Sequence, residues 1–122
     1  MKVVDASAIC AVLFAEKEEW RVNEWVAGDS MVAPTLLSYE VANACWKKLR
    51  RHPELEPEVL AAYARFARLG VRHLEVNLAA VILLAAATRL SAYDAAYIWL
   101  ARALGVELIS LDRRLLQAAA DG

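Results

Sequence analysis

The residues best placed to do chemistry are four carboxylates, Asp5, Glu40, Asp94 and Asp112. Each also has an ordinary structural reading. Asp5 follows Val3-Val4 and precedes a helical stretch, and Asp112 stands between Ser110-Leu111 and Arg113-Arg114-Leu115. Aspartate is a good helix cap in both settings. Asp94 lies three residues after Ser91, the spacing of a reciprocal capping box. Glu40 is harder to dismiss, because it sits inside a helical stretch with mostly apolar neighbours, Leu37 to Ala44. An unpaired carboxylate buried there is costly. It faces solvent, pairs with a basic side chain, or shares a cation with other carboxylates. Asn43, three residues on, lies on nearly the same helix face and is placed to orient it.

Jointly the four say more than each does alone. All can converge on one rim of a sheet. Gathered carboxylates repel one another unless cations join them, and an oxygen-only ligand set suits Mg²⁺ or Mn²⁺. Such ions activate water and clamp both oxygens of a phosphodiester during in-line displacement. The chemistry has few rivals in this chain. The only histidines are His52 and His73, neither in a Ser-His-Asp pattern, and the four glycines build no phosphate loop.

The elements that must position these groups are readable from pattern. Strands are expected at Lys2 to Asp5, Ser30 to Ala33, Val71 to Val76 and Val106 to Leu111. Helices are expected from a Ser7 cap to Phe14, over Glu16 to Ala27, and from Pro34-Thr35, with Thr35 as cap, to Arg51. Others start at Pro57, at an Asn77 cap, at Ser91 and at Asp112. Strands alternating with helices predict an α/β class with a mostly parallel sheet, its strands apolar throughout because helices cover both faces. Sites in such sheets form at the carboxyl ends of strands, near a topological switch point. Asp5 and Asp112 both stand at strand ends.

Length and composition set the outer bounds. A chain of 122 residues that is 60% hydrophobic makes one domain, 1–122, with a substantial core. The apolar excess predicts self-association. A net charge of −1 disfavours a general electrostatic nucleic-acid binder, but not an enzyme that docks one phosphate through metal ions. Cys10 and Cys45 lack ligand spacing and read as small buried hydrophobes in a reducing cytoplasm. Asp5, Glu16, Glu18 and Glu19 argue against a signal peptide. The run from Val76 to Ala87 is too short to span a bilayer and reads as a buried helix, so no membrane association is expected.

Four segments in order carry a family resemblance: Val3-Val4-Asp5-Ala6-Ser7-Ala8, Tyr39-Glu40-Val41-Ala42-Asn43-Ala44, Ser91-Ala92-Tyr93-Asp94-Ala95-Ala96-Tyr97, and Leu108-Ile109-Ser110-Leu111-Asp112-Arg113-Arg114-Leu115. Together they resemble the PIN-domain family, specifically VapC-type toxins of toxin–antitoxin pairs. The resemblance covers nearly the whole chain. It implies a three-layer α/β/α sandwich, an acidic pocket holding Mg²⁺ or Mn²⁺, hydrolysis of RNA phosphodiesters, a cognate antitoxin and homodimerisation. By similarity Asp5, Asp94 and Asp112 ligate metal, and Glu40 binds a second ion or acts through water. Ser7 and Ser110 hydrogen-bond the carboxylates or the scissile phosphate. Family members commonly continue into a fifth strand, whereas this sequence stops ten residues after Asp112, which leaves the sheet edge in question.

Other features have two readings each. The basic run Lys47 to His52 is a solvated helix end that complements the dipole, or a contact for RNA phosphates or an acidic partner. Arg113 and Arg114 hold a substrate phosphate or simply face solvent. Trp20 and Trp25 pack in the core or line a groove for an antitoxin segment. Tyr93 and Tyr97 pack near the site entrance or stack on a base. A DNA nuclease is a close variant of the ribonuclease reading. A haloacid-dehalogenase-like phosphatase wants an aspartate where Ser7 stands, and a receiver domain wants a lysine after a late strand whereas no lysine follows Lys48, so both are disfavoured. The remaining alternative is a non-catalytic partner-binding module, with the four carboxylates as caps and surface charges.

Overall fold

A computed structural model describes residues 1–121; Gly122, the last residue of the expected domain, lies outside the described residues. The chain runs β1 (Lys2–Val4), α1 (Ala6–Leu13), α2 (Glu19–Val26), β2 (Met31–Pro34), α3 (Leu37–Arg51), a 3₁₀ turn (Pro53–Leu55), α4 (Glu56–Arg68), β3 (Arg72–Leu74), α5 (Leu78–Thr88), α6 (Ala92–Leu104), β4 (Leu108–Ile109) and α7 (Arg113–Ala120). The sheet has the order β3-β2-β1-β4, and each neighbouring pair is parallel. This is the expected α/β class. β1 is central because Val3 and Val4 are fully buried and pair on both sides, Val3 with Val32 and Leu108. α6 lies against β1, β2 and β4, with α5 and α7 packed on it. α1 to α4 pack on one another as the opposing layer.

The strand order decides where a site can form. From β1 the chain winds to β2 and β3 on one side, then returns to place β4 on the other. The switch point therefore lies between the carboxyl ends of β1 and β4, where Asp5 and Ser110 follow immediately.

Several local expectations need correction. Ser7 does not cap α1; Asp5 does, its Oδ1 accepting from the Ala8 amide at 3.0 Å. Thr35 does not cap α3, which begins after Leu36 without any side-chain cap, and Pro34 finishes β2 instead of opening a helix. α2 starts at Glu19 and not at Glu16: Ala15 takes φ 49°, and Lys17-Glu18 form a turn in which the Glu19 amide donates to the Glu16 carbonyl at 2.9 Å. β3 and β4 are shorter than expected, and β3 is not apolar: it is an edge strand, and Arg72 and His73 are exposed. The Val76–Ala87 run is not a buried helix either. α5 buries Val81 against α6 but leaves Leu78, Ile82 and Leu83 exposed. Among the described residues no single helix is long and apolar enough to cross a membrane. Cys45 is buried and Cys10 half-buried, and burial pushes the Cys10 thiol up to about 12.

Candidate active site

Asp5 is the best-anchored carboxylate. It leaves β1 with its amide donating to the Ile109 carbonyl at 3.2 Å, which ties it to the end of β4. Its side chain is only 6% exposed, yet every side-chain oxygen is engaged. Ser7 Oγ donates to Oδ1 at 2.7 Å and Ser110 Oγ donates to Oδ2 at 2.5 Å. The two serines also knit the strand ends together. Ser7 Oγ accepts from the Leu111 amide and Ser110 Oγ accepts from the Asp112 amide, each at 2.9 Å. Ser110 is thus a buried link between Asp5 and the loop that carries Asp112. Asp112 in turn caps α7, its Oδ1 accepting from the Leu115 amide at 3.2 Å.

Asp94 and Glu40 come from two helices. Ser91 caps α6 by accepting from the Asp94 amide at 3.1 Å, which leaves the Asp94 carboxylate in the first turn free of the cap. The reciprocal half of the expected capping box is not formed among the described residues. Glu40 is half-buried in the first turn of α3, and Tyr97 Oη donates to its Oε1 at 2.6 Å. Tyr97 therefore does the orienting expected of Asn43, which is exposed and makes no hydrogen bond to Glu40. The geometry has a plain cause. Tyr97 lies one helical turn beyond Asp94 and faces the core at 2% exposure, where its hydroxyl needs a partner. The three-residue spacing from Asp94 was a legible signal that Tyr97 shares its helix face.

Asp5, Glu40 and Asp94 each feel other carboxylates of the set. Burial raises the Asp5 carboxyl, the hydrogen bonds from Ser110, Ala8 and Ser7 oppose that, and the Asp112 charge adds to it. Burial raises Glu40, the Tyr97 hydroxyl opposes it, and Asp94 and Asp5 push it further. Burial raises Asp94, reinforced by Asp112 and relieved by Arg114 and Ser91. Burial and the facing carboxylates push the Tyr97 hydroxyl far up, so it stays a donor. Among the described residues no lysine, arginine or histidine forms an ion pair with any of the four. The cation that senses Asp94 is Arg114, not Arg113; the Arg114 guanidinium also donates to the Arg89 carbonyl at 3.4 Å. Among the described residues no three acidic, histidine or cysteine side chains already stand close enough to cage an ion. A cleft of about 640 Å³ opens beside Glu40, lined in part by Ala6, Asn43, Lys47 and Tyr93.

The chain matches the model of the PIN domain over residues 2–121. It is 34% identical over 120 residues to Ribonuclease VapC3 of Pyrobaculum aerophilum, a match spanning 94% of this chain and 92% of that one. Its fold is similar to the crystal structure of PAE2754 from Pyrobaculum aerophilum, with a TM-score of 0.69 and 26% identity over 96% of this chain and 84% of the other. The rim of carboxylates at the β1/β4 switch point therefore sits in a chain that belongs to the PIN-domain family, among its VapC-type ribonucleases.

Proposed function

We infer that this protein is a divalent-metal-dependent endoribonuclease that hydrolyses RNA phosphodiesters and serves as the toxin of a toxin–antitoxin pair. One observation supports the reading: in a PIN-domain chain, the carboxyls of Asp5, Glu40 and Asp94 are each raised by burial and by other carboxylates of the set, and among the described residues no cationic side chain forms an ion pair with any of the four. Such a donor set is hard, all oxygen and short of positive charge, which fits Mg²⁺ or Mn²⁺. Asp5, Asp94 and Asp112 are the residues assigned to hold the ion, and Glu40 a second ion or a bridging water. When bound, the cation supplies an activated water and neutralises charge on the phosphodiester.

The chain's own residues have defined parts. Ser7 and Ser110 lock both oxygens of Asp5, so that carboxylate arrives preorganised. Tyr97 fixes the Glu40 rotamer. Arg114, beside Asp94, and Arg113, in the same first turn of α7, are positioned to draw a phosphate toward the acidic rim. An antitoxin segment is assigned to the exposed Trp20 of α2; Trp25 is half-buried against the core and stacked by Arg21, so it is the weaker contact. The exposed apolar face of α5 supports a homodimer.

The test is cleavage of a labelled structured RNA with Mg²⁺ or Mn²⁺, with chelator, and by Asp94→Asn. Cleavage that requires metal and disappears in the variant is expected. Activity that persists equally in chelator and in the variant would refute the assignment. The absence of a ready three-ligand cage among the described residues favours a second reading, a non-catalytic partner-binding module. Calorimetric titration separates the two, since that module would take up no Mn²⁺.

A further inference from the structure

Asp112 is the least anchored of the four carboxylates. The serines hold Asp5, and Tyr97 holds Glu40. Asp94 rides on α6, which buries six side chains. Asp112 is exposed, and its place depends on α7, which buries only Leu115. That helix is also charged against its own dipole. Arg113 and Arg114 stand in its first turn, Asp121 is its C-cap, and its last turn holds no basic residue. Cations stabilise the C-terminal end of a helix and anions the N-terminal end. The missing cation comes from α6. Arg102 Nη2 donates to the Ala119 carbonyl at 3.2 Å and to the Ala118 carbonyl at 3.5 Å. The contact borders a hollow of about 310 Å³ among α5, α6 and α7, so packing alone does not close that end.

The same two helices meet again at their other ends. Asp94 lies in the first turn of α6 and Asp112 at the N-cap of α7, close enough for the Asp112 charge to act on Asp94. Arg102 lies about 12 Å along α6 from Asp94, and Ala119 about 10 Å along α7 from Asp112. The helices therefore run side by side in one direction, with a carboxylate on each at one end and the arginine contact at the other. We propose that Arg102 is a positioning residue for the acidic rim: by holding the C-terminal carbonyls of α7 it fixes the helix that carries Asp112, and with it the separation of Asp112 from Asp94. A helix of eight residues moves as a rod, so releasing one end lets the other pivot. Arg65 makes an outwardly similar contact on α1, its Nη2 donating to the Leu13 carbonyl at 2.7 Å. There the N-cap is Asp5, which Ser7 and Ser110 hold already, and α1 buries four side chains. Arg65 thus supports the stability of α1, whereas Arg102 sets the geometry of the rim. This inference rests on the metal-dependent reading of that rim.

Two measurements on Arg102→Ala, Arg102→Lys and Arg65→Ala test it. Hydrogen exchange of the Leu115 amide, which donates to Asp112, is followed in chelator, so that no metal enters. Calorimetric titration then gives the Mn²⁺ affinity. Arg102→Ala should speed Leu115 exchange and weaken Mn²⁺ binding, each by about 2- to 5-fold, the effect of losing a cation at a helix C-terminus. Arg102→Lys keeps the charge there and should restore the parent values of both. Arg65→Ala should lower the melting temperature yet leave both readings at the parent value. Parent-like Leu115 exchange or parent-like Mn²⁺ affinity in Arg102→Ala would overturn the proposal. So would a Mn²⁺ affinity that falls as far in Arg65→Ala, since the effect would then be one of global stability. A parent protein that takes up no Mn²⁺ counts against the metal-dependent reading alone, because the exchange measurement decides the role of Arg102 without metal.

Discussion

Ser110 shows how little slack the acidic rim has. Its hydroxyl donates to Asp5 and accepts from the Asp112 amide at 1% exposure. Ser110→Ala leaves a buried carboxylate oxygen and an amide without partners, which costs about 1–3 kcal/mol; a lowered denaturant midpoint with unchanged m-value checks it. Tyr97→Phe removes only the hydroxyl that holds Glu40. The ring still fills the core, so stability should change little while Mn²⁺ affinity or cleavage falls about 10- to 100-fold. Asp94→Asn has a signed pH dependence. Asp5, Glu40 and Asp94 all have raised carboxyl pKa values in the fold. The native state thus holds more protons than the unfolded chain across the interval above the ordinary carboxylate range. Stability of the metal-free protein from these groups is greatest below the unfolded value and declines as pH rises through the raised values. Removing one of the charges relieves part of that penalty. In chelator, Asp94→Asn should melt higher than the parent at neutral pH, with the advantage shrinking as pH falls into the carboxylate range. The substitution keeps the cap, which uses the Asp94 amide.

At the scale of elements, two helices end in the same left-handed conformation with different residues. α6 ends at Gly105, φ 67°, and α5 at Arg89, φ 61°. Glycine adopts this region freely, whereas a residue with a Cβ is strained there by about 1–2 kcal/mol. Gly105→Ala should therefore destabilise by about 1 kcal/mol, with no steric contribution because nothing lies within 4 Å of the added Cβ. Arg89→Gly should raise the melting temperature, since the Arg114 contact uses the Arg89 carbonyl and survives. Thermal unfolding of the pair tests both signs.

For the whole molecule, the unusual surface is α5. A helix that is apolar nearly all round is stable in water only when covered on more than one side. Here α6 covers one side, and Leu78, Ile82 and Leu83 remain exposed. Under the proposed homodimer, Ile82→Lys together with Leu83→Lys should leave only monomer by sedimentation equilibrium, while the fold, whose core holds neither side chain, persists. Divalent cation should act on the whole molecule too. Under the proposed metal binding at the native rim, Mn²⁺ should raise the melting temperature at neutral pH, with the increment growing with the logarithm of concentration.

The alternation of apolar strand and helix patterns already carried the α/β class, and the residue types after β1 and β4 pointed to those strand ends as the place of the candidate carboxylate site. These are local properties: hydrophobic period, a short run of valines, an aspartate at a strand end. What sequence order could not decide was which strands neighbour which, and so that Asp5 and Ser110, 105 residues apart, share a 2.5 Å hydrogen bond. Ser7 looked like a cap because its chain neighbours suited one; its real partners, Leu111 and Asp5, include a residue across the sheet. Asn43 looked like the partner of Glu40 because both lie on one helix, yet Tyr97 reaches Glu40 from another. The exposed faces of β3 and α5 likewise follow from their places at the periphery, not from their residues. Local chemistry sets which groups are available, and tertiary packing sets which of them meet, because only packing brings distant segments within the few ångströms over which a hydrogen bond or an unscreened charge acts.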